Sequence, residues 1–123
     1  MIAVDTSTWS AFLAGHTDRD TQTLDAALVQ GQVVIPPVVL TELLSSPRLA
    51  PADVATFTAL PLLSIEDGFW QRAGRLRASV LRRGLKSRLA DVLIAQCCID
   101  HDVPLLTRDS DFRHYTQAGL HLL

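Results

Sequence analysis

Five acidic residues, Asp5, Glu42, Asp91, Asp109 and Asp111, stand in segments that a parallel α/β fold would gather at one edge. Asp5 closes the apolar run Met1-Ile2-Ala3-Val4, and Glu42 lies in Val38-Val39-Leu40-Thr41-Glu42-Leu43-Leu44. Asp91 is framed by Leu89-Ala90 and Val92-Leu93-Ile94-Ala95. Asp109 and Asp111 follow Val103-Pro104-Leu105-Leu106. The strand C-termini of a parallel sheet open onto one edge, where ligands bind. Carboxylates converging there repel one another unless a cation lies between them. An oxygen-only donor set selects a hard divalent ion, Mg²⁺ or Mn²⁺. The chemistry implied is metal-dependent attack on a phosphodiester.

Each acid also has a plainer reading. Asp5 alone fits a helix N-cap. Glu42 alone fits the polar position that every helical turn tolerates. Asp109 and Asp111 alone fit turn residues after a strand, although their spacing lets one or both face a common pocket. Asp91 is harder to explain away, because a carboxylate in an apolar frame must be paired, metal-bound or protonated. The adjacent helix N-terminus contributes only about 0.3–1 kcal/mol, too little to offset burial. Asp18 and Asp20, flanking Arg19, read as solvated loop residues, and Asp100 and Asp102 as solvated turn residues. The four histidines lack metal-ligand spacing, and no nucleophile elbow or glycine-rich phosphate loop appears. Trp9 and Trp70 read as core or partner-interface residues.

The elements that must position these acids alternate between strand and helix, as in βαβ units around a parallel sheet. Strand signals fall at Ile2–Val4, Gln32–Ile35, Leu62–Ile65, Leu105–Leu106 and, as an edge strand, Leu120-His121-Leu122. The expected fold is a three-layer α/β/α domain with a mostly parallel sheet of four to five strands. A helix capped by Thr6 or Ser7 runs through Trp9 and Leu13 and ends at Gly15. A second spans roughly Thr21 to Gln30. Pro37 suits the first turn of the helix carrying Glu42. Pro51-Ala52-Asp53 opens a short helix through Phe57. Ser64 with Asp67 predicts a capping box for a long helix, with Phe69, Ala73, Leu76 and Val80 on one face and Arg72, Arg75 and Arg82 on the other. Ser87 caps the next helix, which is apolar nearly all round and therefore buried.

The chain has 123 residues, 48% of them hydrophobic, enough for one domain over residues 1–123 with its own core. No basic region precedes the N-terminal apolar run, and the longest uncharged stretch is broken by Gly31 and Pro36-Pro37. The reading is therefore a cytoplasmic protein without a membrane segment. The adjacent Cys97 and Cys98 are expected as buried thiols. Net charge is −2, yet Arg72, Arg75, Arg77, Arg82, Arg83, Lys86 and Arg88 cluster in a stretch without acids. A solvated amphipathic helix explains such a run, and so does contact with a polyanion.

Taken with the order Val4-Asp5-Thr6-Ser7, Thr41-Glu42-Leu43, Ala90-Asp91-Val92-Leu93-Ile94-Ala95 and Leu106-Thr107-Arg108-Asp109-Ser110-Asp111-Phe112, the chain resembles a PIN domain over essentially its whole length. Within that family it is similar to the VapC-type toxins. The resemblance implies a nuclease that uses Asp5, Glu42, Asp91 and Asp109, with Asp111 as a further acid, to cut RNA. One or two Mg²⁺ or Mn²⁺ ions are implied, with Asp5, Asp91, Asp109 and Asp111 as metal ligands. Thr6, Ser7 and Thr107 are expected to fix the carboxylates by hydrogen bonds, and Arg72, Arg75 and Arg82 to touch phosphates. A homodimer and a small antitoxin partner follow from the resemblance alone. Two other classes stay open here: an RNA-maturation nuclease without an antitoxin, and a binding module too weak to turn over.

Overall fold

β1 (Ile2–Val4) is the centre of the sheet because its residues can be buried on both faces; Ala3 and Val4 have no exposed surface. The computed structural model describes residues 1–123. β1 pairs in parallel with β2 (Val33–Val34) through Ile2↔Val33 and Ala3↔Val34. On its other side it pairs in parallel with β3 (Leu105–Leu106) through Ala3↔Leu105 and Val4↔Leu106. The order is β2-β1-β3. This is an α/β fold on a parallel open sheet, as the alternation predicts.

The sheet has three strands rather than four to five. Leu62–Ile65 and Leu120–Leu122 each reach it through one parallel bridge, Ile35↔Leu62 and Leu105↔Leu122. Proline limits the lengths: Pro36 follows Ile35, and Pro104 precedes β3, so neither end can extend a ladder through its own N–H.

Six α-helices surround the sheet: α1 (Thr6–Leu13), α2 (Arg19–Val29), α3 (Pro37–Leu44), α4 (Pro51–Ala59), α5 (Phe69–Arg82) and α6 (Leu89–His101). A 3₁₀ helix, Ser110–Ala118, follows β3 where the sequence showed only turn residues. α6 is the hub, packing on α3, α5 and the 3₁₀ helix. Val92, Ile94, Ala95, Cys97 and Cys98 are buried on it. Both cysteines are unpaired, and burial pushes the Cys97 thiol up to about 11 and Cys98 further in the same direction. Trp9 on α1 packs edge to face against Phe12 of the same helix and Phe57 of α4.

Three expected caps are replaced. Asp5, not Thr6 or Ser7, is the N-cap residue of α1, and the Ser7 hydroxyl turns to the Asp5 carboxylate. Gly68 starts α5 at φ +78°, while Ser64 bonds Glu66. Ser87 stands before the α6 cap Arg88 and bonds the Tyr115 hydroxyl at 2.8 Å. In each case the hydroxyl finds a nearer side chain than the helix amides. No helix is long and apolar enough to cross a membrane.

Candidate active site

Asp5 ends the central strand, its N–H donating to Leu106 O at 2.9 Å, and its side chain is 5% exposed. A carboxylate so buried needs donors. Ser7 Oγ donates to its Oδ2 at 2.8 Å, and Thr107 Oγ1 donates to the same oxygen at 2.9 Å. Both bonds fall on Oδ2, so Oδ1 keeps its lone pairs. Ser7 and Thr107 thus hold one oxygen of the Asp5 carboxylate between two hydroxyls.

Glu42, exposed in the middle of α3, is tied to the start of α1 by Thr6 Oγ1, which donates to Oε1 at 2.7 Å. Asp109 precedes the 3₁₀ helix and caps it: its Oδ1 accepts from the Asp111 N–H at 2.9 Å. The Asp109 N–H in turn donates to Thr107 Oγ1 at 3.0 Å. Asp111 thus joins the group through its backbone. Thr107 is the common node, since its hydroxyl serves Asp5 and receives Asp109.

Asp91, in the first turn of α6, is half-buried. Burial raises its carboxyl to about 6, and the negative charges of Asp109, Asp5 and Glu42 add to the rise. Three acids from three other segments are therefore close enough to oppose its ionisation. Arg88, three residues earlier, is the cation that pulls the other way. The sequence places Arg88 in the basic run and does not link it to Asp91, although an arginine one helical turn ahead of a framed carboxylate is a visible signal.

The donor set for an ion is oxygen alone, which suits Mg²⁺ or Mn²⁺. No three His, Cys, Asp or Glu side chains are drawn into a ready coordination shell. The misfit is one of closure and not of chemistry: the charges of Asp109, Asp5 and Glu42 acting on Asp91 are what a divalent ion would relieve.

Several peripheral assignments change. Arg72 is not free for phosphate: its Nε and Nη2 form a fork on Asp100, and Nη1 donates to Asp67 O at 2.6 Å. Asp100 is correspondingly no solvated turn residue, its side chain being 9% exposed. Burial alone would raise its carboxyl, and the bonds from Arg72 and Gln96 overcome this and hold it low. Arg75 and Arg82 remain exposed on α5. Asp20 is not a solvated loop residue either. Arg108 Nε donates to it at 2.7 Å and Thr8 Oγ1 at 3.0 Å, and the Arg108 bond leads in holding its carboxyl near about 2. Asp102 is exposed as expected, at φ 51°. Trp9 is core, while Trp70 stays 62% exposed. A cavity of about 530 Å³ lies between α2 and the Thr107-Arg108 turn, lined by none of the five acids.

Across residues 2–117 the chain matches the family model described as PIN domain. Solved structures share the fold over nearly the full length. VapBC2 from Rickettsia felis, bound to a DNA fragment from its promoter, is 19% identical with a TM-score of 0.72, covering 100% of this chain and 98% of that one. FitAcB from Neisseria gonorrhoeae is 16% identical, with a TM-score of 0.73 and coverage of 100% and 96%. VapBC-5 from Mycobacterium tuberculosis, of the VapBC family of toxin–antitoxin systems, is 23% identical, with a TM-score of 0.62 and coverage of 99% and 94%. No curated protein matches the chain in sequence. At these identities the structural likeness establishes fold.

Proposed function

The chain belongs to the PIN-domain family of nucleases, and from that premise we propose that it is a metal-dependent endoribonuclease, the toxin of a toxin–antitoxin pair. The observation that carries the reading is the convergence of acids from four segments: the charges of Asp109, Asp5 and Glu42 face the half-buried Asp91, and hydroxyls tie Asp5 to Thr107 and Glu42 to Thr6. An isolated structural carboxylate would be placed beside a cation or an amide, as Asp100 and Asp20 are. The acids facing Asp91 oppose its ionisation, and a divalent ion between them would relieve that opposition.

Asp5, Asp91, Asp109 and Asp111 would hold the metal, as one ion or two. When bound, Mg²⁺ or Mn²⁺ lowers the pKa of water and neutralises charge on the phosphate oxygens. Every other role belongs to side chains of the chain itself. Ser7 and Thr107 fix the Asp5 carboxylate, and Thr6 fixes Glu42. Glu42, with Asp111, orients the attacking water. Arg75, Arg82 and Arg88 contact the RNA backbone, so binding weakens with salt.

The antitoxin is proposed because the structural relatives named above include a member of the VapBC family of toxin–antitoxin systems, 94% of whose matched chain this one covers. A small protein covers the acids, and the chain acts as a homodimer on cytoplasmic RNA. Purified chain incubated with total RNA and Mg²⁺, Mn²⁺ or EDTA tests the nuclease. Growth arrest on expression, relieved by the small gene beside it, tests the toxin role. Cleavage without arrest removes the toxin half and leaves a nuclease of ordinary RNA maturation.

A further inference from the structure

The turn that carries Thr107 and Asp109 is held from outside the acid group by one guanidinium. Arg108 Nε donates to Asp20 Oδ2 at 2.7 Å, and Nη2 donates to Asp20 Oδ1 at 2.8 Å and to Asp18 Oδ2. Both acids stand at the start of α2. Asp20 is itself held by Thr8, whose hydroxyl donates at 3.0 Å from a side chain with no exposed surface. The clamp is therefore anchored in the core of α1, not in solvent. On its other side, the Arg108 N–H donates to Ser7 Oγ at 3.2 Å, the hydroxyl that serves Asp5.

Thr107 and Asp109 flank Arg108 directly in sequence. A bidentate arginine on carboxylates fixes orientation as well as position. We propose that Arg108, gripped by Asp18 and Asp20, is a positioning residue that sets the affinity of the acid group for its divalent ion, by locking Thr107 against Asp5 and Asp109 against Asp91. The inference rests on the metal-nuclease reading and adds residues outside the acidic set to it. Loss of outer hydrogen-bonding partners characteristically costs metal affinity tenfold or more without removing a ligand.

The experiment is a Mn²⁺ titration by calorimetry of the full chain, beside R108A, R108K and D20N, each with a thermal melt in EDTA. D20N keeps the size of the side chain and its contact with Thr8, so one variant remains folded if R108A does not. The expected result is a roughly tenfold weaker Mn²⁺ dissociation constant in R108A and D20N. R108K, which keeps the charge without the fork, recovers part of the loss. Mn²⁺ affinity within twofold of the parent in a folded D20N or R108A overturns the clamp and leaves the nuclease reading standing. Absence of Mn²⁺ binding by the unsubstituted chain overturns both together.

Discussion

Thr107 Oγ1 donates to Asp5 Oδ2 at 2.9 Å, joining the ends of β3 and β1 across 102 residues of chain. The same hydroxyl receives the Asp109 N–H, so one side chain sets two of the four opposed acids. Thr107→Val keeps the shape and removes the donor. Its Mn²⁺ affinity, measured by calorimetry, should fall roughly tenfold while the melt in EDTA stays near the parent. Unaltered affinity would show that Asp5 needs no such partner.

Asp91 gives a pH signature. Burial first, then Asp109 and Asp5, lift its carboxyl from 3.8 to about 6. The folded chain thus holds this proton more tightly than the unfolded chain. Its contribution to metal-free stability is intact below about pH 4 and declines as pH rises to about 6. Asp91→Asn removes the decline. With solvent screening on a half-buried group, the difference above pH 6 is on the order of 1 kcal/mol. In EDTA at pH 7.5 the variant should melt roughly 3–5 °C above the parent, and at pH 4 the two should coincide. A variant less stable than the parent at pH 7.5 contradicts the proposed opposition among the acids.

On the proposed reading, the basic segment divides into a structural arginine and arginines that face RNA. Arg72 is committed to Asp100, so Arg72→Gln should lower the denaturation midpoint and leave RNA affinity untouched. Arg75→Ala and Arg88→Ala should each reduce the salt slope of RNA binding by about one, on an Asp91→Asn background that does not cut. Filter binding at several salt concentrations separates them. A reduced slope for Arg72→Gln would reverse the assignment.

Much of the candidate site is legible in the sequence, because apolar framing is a local property. Val4 before Asp5 and the Leu89–Ala95 frame around Asp91 fix a strand end and a buried helix, and Pro37 and Gly84 mark helix boundaries. What the sequence hid was pairing between distant side chains. Arg108 and Asp20 are 88 residues apart, so nothing near Asp20 signals its partner. Arg72 and Asp100 are separated by 28 residues, and the helical pattern placed Arg72 only on the polar face. Ser64 and Ser87 have the residue type of a cap, yet Ser64 bonds the nearby Glu66 and Ser87 the distant Tyr115 instead. The outer segment at Leu62 is held to one bridge with Pro61 before it and Pro36 after its partner Ile35.

Ser87 supplies a stability test away from the acids. Its bond to the Tyr115 hydroxyl, 2.8 Å and buried, joins the approach to α6 to the 3₁₀ helix. Burial raises the phenol above its usual range despite that bond, so it remains neutral at working pH. Tyr115→Phe should cost about 1 kcal/mol in urea denaturation, with the slope unchanged. An unchanged midpoint would mean that water replaces the phenol without loss.

The central claim is that the opposed acids are the seat of metal-dependent RNA cleavage. Total RNA should be incubated with the purified chain, Asp5→Asn and Asp91→Asn, each with Mg²⁺, Mn²⁺ or EDTA. The account predicts cutting by the parent with either metal, none in EDTA, and loss in both variants by at least a hundredfold, on the order of 3 kcal/mol of transition-state stabilisation. Cutting that persists in both variants, or in EDTA, contradicts it.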